Sequence, residues 1–134
     1  MTLNVCLAGA TGWAGSELAR GLAVADGLKL VSAVSRKHAG ATLAQALGDE
    51  RLDAPVFATA AEALSKPVEV FMEYTRPDSA KTNILVALEH GAHVVVGTSG
   101  LSDEDYARID EAAVIHRHAD LGDATISNPL PVIG

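Results

Sequence analysis

The chain has 134 residues, 49% apolar and 20% charged, the composition of one globular domain with room for a single core. Its formal charge of −7 gives no general attraction to nucleic acid or to an anionic membrane, so a phosphate must be held by local geometry and a few cations. One cysteine, Cys6, excludes an internal disulfide and a cysteine-built metal centre, and no apolar run approaches the ~18 residues of a membrane span. The start of the chain lacks a basic segment ahead of an apolar stretch, and a reducing cytoplasm is the expected setting.

In chain order, Leu3 to Ala8 predicts a strand, with Cys6 a small buried hydrophobe inside it. That strand runs into Gly9-Ala10-Thr11-Gly12-Trp13-Ala14-Gly15, and a helical pattern leaves it. The helix is read over Ser16 to Asp26, with Leu18, Ala19 and Leu22 at helical spacing, Glu17 and Arg20 on the wetter side, and Asp26-Gly27 closing it. Strand, glycine turn and helix make the dinucleotide fingerprint, in which Ala10, Gly12 and Gly15 occupy the three glycine positions and Gly9 stands just upstream. Glycines permit positive φ and close backbone approach, and the following helix start presents N–H groups and the positive end of a dipole to a pyrophosphate. The plainer reading is a tight turn without a ligand.

Leu28 to Val34 suits a second, parallel strand, and Ser35-Arg36-Lys37 follows it. Where an NAD site places an acidic residue for the ribose hydroxyls, a hydroxyl and two cations suit a 2′-phosphate, so NADPH is expected to be preferred, with NADH the second option. The alternative is an ordinary solvated loop. From His38 to Pro55 the pattern is broken by Gly40, Gly48 and Pro55, and Leu43 to Leu47 offers a short helix. Val56-Phe57 reads as a brief strand, Thr59 as the cap of a short helix through Leu64, and Val68 to Met72 as a good strand.

Glu73-Tyr74-Thr75-Arg76-Pro77 lies at the end of that strand, before a helix with Ile84, Leu85 and Leu88 on one face and His90-Gly91 at its close. Ala92 to Val96 is another buried strand, ending in Gly97-Thr98-Ser99-Gly100, and Ser102 with Asp105 starts a helix over Asp103 to Ala113. Strands alternating with helices imply an α/β fold, a Rossmann-like doubly wound parallel sheet whose ligands lie beyond the carboxyl ends of the strands. Glu73 reads either as part of the cofactor pocket or as a local partner of Arg76 or of the helix start. His90 reads as a helix-end cation, His93 as a surface residue, and Asp103, Glu104 and Asp105 as a solvated helix start without the spacing of a calcium loop. His116-Arg117-His118, which puts two imidazoles on one face of a strand, reads as surface strand or tail, with a ligand or a catalytic role as the minor alternatives.

The glycine turn, Glu73 to Pro77, Ala87-Leu88-Glu89-His90-Gly91 and Val96 to Gly100 together resemble the 4-hydroxy-tetrahydrodipicolinate reductase (dihydrodipicolinate reductase) family over roughly residues 3 to 112. The resemblance implies a nucleotide-binding domain at 1–113, hydride transfer from a nicotinamide to a cyclic unsaturated dicarboxylate in lysine and diaminopimelate biosynthesis, and a homo-oligomer, a tetramer in the family. Carried over by position, Gly9 to Gly15 hold the pyrophosphate, while Tyr74, Thr75, Gly97, Thr98 and Ser99 border the nicotinamide and its ribose. Trp13-Ala14 stands where the family often has Arg-Met, and Trp13 is expected to cover the cofactor instead; Glu73 and Tyr74 replace Asp and Phe. Residues 114–134 are read as a divergent tail, a last strand or the remnant of a link to a substrate domain that carries the family's catalytic groups, so no catalytic residue and no metal ligand are assigned here. Asn128 is a weak echo of the family pattern. Two alternatives stay open: an N-acetyl-glutamyl-phosphate reductase-like domain, which shares the opening and Ser35 to Gly40 but requires a nucleophilic cysteine, and a non-catalytic NADPH sensor.

Overall fold

The computed structural model describes residues 2–97, 101–105, 107–111 and 132–133. Strands β1 (Leu3–Ala8), β2 (Leu28–Val34), β3 (Val56–Phe57), β4 (Val70–Glu73), β5 (His93–Val96) and β6 (Val132–Ile133) form one sheet in the order β3-β2-β1-β4-β5-β6. Every neighbouring pair is parallel. Helices α1 (Trp13–Val24), α2 (Leu43–Leu47), α3 (Ala60–Ala63) and α4 (Pro77–Glu89) connect them, and residues 103–105 and 107–111 are helical as well. This is the doubly wound arrangement expected from the sequence, and its strand order reverses between β1 and β4, where such sheets open a crevice.

Two apolar clusters explain why the helices fall on both faces. Side chains alternate along β1, so Val5 and Leu7 pack with Ala19 and Leu22 of α1 and Leu43 of α2, whereas Cys6 and Ala8 pack with α3, α4 and Phe71. Ile84 and Leu88 supply the buried stripe of α4, and Ile109 joins the same cluster. Central parallel strands buried on both sides need the near-continuous apolar runs seen in β1 and β4.

Several boundaries differ from the sequence reading. Helix α1 begins at Trp13, a turn ahead of Ser16, because Gly12 already accepts the Ser16 N–H at 2.9 Å. Strand β4 starts at Val70 and extends through Glu73, since its pairing with Val5 to Ala8 of β1 sets the register. The segment 38–55 is more ordered than its glycines and proline suggest. Thr42 and Gln45 form a reciprocal capping box, Gly48 closes α2 in the left-handed region, and Leu43, Leu52 and Ala54 are buried. Ser102 and Asp105 cap the next helix reciprocally, as expected. No helix among the described residues is long and apolar enough to cross a membrane.

Candidate functional site

Backbone hydrogen bonds tie together the carboxyl ends of the strands. The Gly9 N–H donates to Val34 O at 3.0 Å, Tyr74 N–H to Ala8 O at 2.9 Å, Ser35 N–H to Phe57 O at 2.9 Å, and Gly97 N–H to Glu73 O at 2.8 Å. A cleft of about 790 Å³ opens over β1, β2 and β4. Gly9, Thr11 and Gly12 form one side, Ser35, Arg36 and Lys37 another, and Tyr74 to Arg76 with the first turns of α4 a third.

The turn after β1 is built for close approach. Gly9 has φ +84°, and a Cβ there would run into the Tyr74 carbonyl; a Cβ at Gly15 would run into the Gly9 carbonyl. The positive φ therefore falls on Gly9 and not on the Ala10 position to which the fingerprint assigns it. Ala10 is fully buried in the cluster beneath α1 and does not line the cleft. Gly12 is the N-cap of α1; no side chain caps it and no acidic residue occupies the first turn. The N–H groups of that first turn thus have no side-chain acceptor, and of this helix start Gly12 itself lines the cleft; an uncapped start of this kind is a donor set suited to a pyrophosphate.

Trp13 and Ala14 lie in that turn but do not line the cleft, and Trp13 is 90% exposed. The expectation that its indole covers a cofactor does not match this placement: as the first helical residue, Trp13 projects outward, and only its backbone belongs to the turn. Ser35, Arg36 and Lys37 all reach the cleft. Thr11 and Ser35 share a hydroxyl hydrogen bond of 3.0 Å, and Arg36 Nη2 donates to Ser79 Oγ at 3.1 Å. Tyr74 and Thr75 line the third wall, the Tyr74 ring packing over Gly97. Thr98, Ser99, His116, Arg117, His118 and Asn128 lie outside the described residues.

Beneath that wall Glu73 is fully buried. Its Oε1 accepts from the Thr75 N–H at 2.9 Å and from the Thr75 hydroxyl, and the Asn83 side chain adds another hydrogen bond. Burial pushes its pKa above the usual carboxylate value, opposed by the bonds from Thr75 and Asn83. Glu73 is therefore the floor of the β4–α4 turn, accepting from the loop that precedes α4. Sequence reasoning did not single out Ser79, Thr82 and Asn83, which line the cleft from α4. Their signal was positional: they fall in the first two turns of a helix that starts at the switch point.

Residues 3–118 match the family model described as dihydrodipicolinate reductase, N-terminus. The chain belongs to the dihydrodipicolinate reductase family. It is 36% identical over 112 residues to 4-hydroxy-tetrahydrodipicolinate reductase of Halalkalibacterium halodurans, covering 83% of this chain and 42% of that protein. With the enzyme of the same name from Thermosynechococcus vestitus it shares 33% identity over 125 residues, 90% of this chain and 44% of the relative. The chain thus spans less than half the length of these curated relatives. The fold is shared with dipicolinate-bound dihydrodipicolinate reductase from Paenisporosarcina sp. TG-14, at a TM-score of 0.71 and 21% identity over 87% of this chain and 45% of that one. It is also shared with scyllo-inositol dehydrogenase from Lactobacillus casei, at 0.71 and 19% over 88% and 34%.

Family membership bears on the alternative that needs a nucleophilic cysteine. Cys6 is fully buried in β1, and burial pushes its thiol up to about 11, so it is neither accessible nor ionised near neutral pH.

Proposed function

We propose that this chain is the nicotinamide-dinucleotide-binding part of a reductase, that it prefers NADPH to NADH, and that the whole protein reduces a cyclic unsaturated dicarboxylate in lysine and diaminopimelate biosynthesis. The observation that carries this reading is the uncapped start of α1 beside the Gly9 and Gly15 close approach, opening into the same cleft as Arg36 and Lys37. When bound, the dinucleotide supplies the hydride. Gly9, Gly12 and Gly15 let its pyrophosphate approach the first N–H groups of α1. Ser35, Arg36 and Lys37 engage the 2′-phosphate, where a guanidinium offers paired charge-assisted hydrogen bonds. Tyr74, Thr75, Gly97, Thr98 and Ser99 border the nicotinamide ribose, and Glu73 orients Thr75 from below. The proton and the substrate contacts come from the part of the protein that lies outside the matched family segment. Residues 1–113 make up the body of the binding domain and 114–134 a divergent tail whose Val132–Ile133 adds the last strand to the same sheet, in a homo-oligomer working in the cytoplasm.

Calorimetric titration with NADPH and NADH tests the reading. Tighter NADPH binding supports the Ser35-Arg36-Lys37 assignment, tighter NADH binding overturns the preference, and no binding of either overturns the cofactor role of the cleft. The sensor alternative is separated from the reductase by absorbance at the reduced nicotinamide band: a sensor binds NADPH and leaves it unconsumed when the cyclic dicarboxylate is added.

A further inference from the structure

Arg36 follows the end of β2, while Ser79 sits in the first turn of α4, and the hydrogen bond between them joins two walls of the cleft. The Ser79 N–H donates to the Arg76 carbonyl at 3.0 Å, so its hydroxyl stands on a formed helical turn. On the other flank of Arg36, Ser35 is bonded to Thr11 of the glycine turn. Arg36 is therefore tied directly to one βα connection through Ser79, while its chain neighbour Ser35 is tied to another through Thr11.

We infer that Ser79 determines specificity for the phosphorylated cofactor, by positioning the Arg36 guanidinium and by donating its own hydroxyl proton to the 2′-phosphate. This rests on the cofactor reading above. A serine hydroxyl has one donor and two acceptor sites; when one lone pair takes the Arg36 Nη2 proton, the O–H remains to be given to an anion. The guanidinium spends one of its five N–H groups on Ser79 and keeps four for paired bonds to phosphate oxygens. Because Arg36 is exposed at a loop, holding it in advance removes part of the side-chain ordering that binding would otherwise require. The 2′-phosphate is the only part of NADPH that NADH lacks, so the contribution of Ser79 is confined to the difference between the two cofactors.

The test compares NADPH with NADH, and 2′,5′-ADP with ADP, by calorimetry on the wild type, Ser79→Ala, Ser79→Thr, Arg36→Ala and the Ser79→Ala/Arg36→Ala double variant. Ser79→Ala is expected to weaken NADPH and 2′,5′-ADP by roughly tenfold or more, the effect of one charge-assisted hydrogen bond, with NADH and ADP unchanged. Ser79→Thr restores most of the loss, and Ser79→Ala adds little once Arg36 is Ala. Equal weakening of both cofactors by Ser79→Ala overturns the inference, since a merely structural role would move both. So does an unaffected NADPH affinity in Ser79→Ala while Arg36→Ala weakens it; that outcome leaves the phosphate site standing without Ser79. Arg36→Ala with no effect on NADPH removes the phosphate site itself.

Discussion

Two turns face each other across the cleft at the ends of the adjacent strands β1 and β4, and they are built in opposite ways. The turn after β1 works by the absence of side chains: positive φ at Gly9 and the Gly15–Gly9 approach bring backbone against backbone. The turn after β4 works by their presence: the buried Glu73 carboxylate gathers Thr75 and Asn83 beneath the cleft wall. Sterics hold the first, so its geometry is indifferent to pH. The second depends on an ionisable group taken out of water, so its stability is tied to proton uptake.

The largest expected effect breaks the first turn. Gly15→Ala places a methyl on the Gly9 carbonyl with no flexible side chain to give way, and should cost about 3 kcal/mol in denaturant unfolding together with the loss of dinucleotide binding. A cost below about 1 kcal/mol would mean that α1 can slide away from β1 and that backbone contact is not what sets this turn.

The next effect sharpens the contrast through pH. The folded-state pKa of Glu73 is raised above its ordinary 4.5, with burial the largest cause, so the folded chain holds that proton more tightly than the unfolded one. This contribution is fully present below the ordinary value and is lost as pH rises through the folded value. Unfolding free energy of the parent should therefore fall as pH rises from about 4.5, whereas Glu73→Gln, which cannot ionise, should be flatter over the same window. Parallel profiles for the two proteins would remove Glu73 as the pH-dependent element.

The smallest effect concerns the link between the glycine turn and β2. Thr11→Val removes the 3.0 Å bond to Ser35 while keeping the shape, and should cost about 1 kcal/mol. A penalty equal to that of Gly15→Ala would show that side-chain bonding, and not the backbone approach, holds this end of the sheet.

Much of the fold was legible because parallel strands buried on both faces must be continuous apolar runs, and the bounds of β1 and β2 coincide with Leu3 to Ala8 and Leu28 to Val34. The segment 38–55 was hard to read because its order comes from a capping box and from three residues, Leu43, Leu52 and Ala54, that reach the core without any period. At the site, the glycines and Ser35-Arg36-Lys37 stood out because phosphate chemistry needs those residue types next to a strand end. Ala10 misled because the fingerprint counts positions, while the chain turns where φ is positive, at Gly9.

By itself, then, the sequence determined the alternation of strands and helices, the location of the glycine turn and the basic residues after the second strand, since these follow from local patterns of size, charge and hydropathy. Only the tertiary structure decided that Trp13 projects outward, that Glu73 lies under Thr75 and Asn83, and that Arg36 meets Ser79 forty-three positions away. The physical reason is that strand order and register, which join distant segments, are set by the packing of whole faces, and no local pattern carries that information.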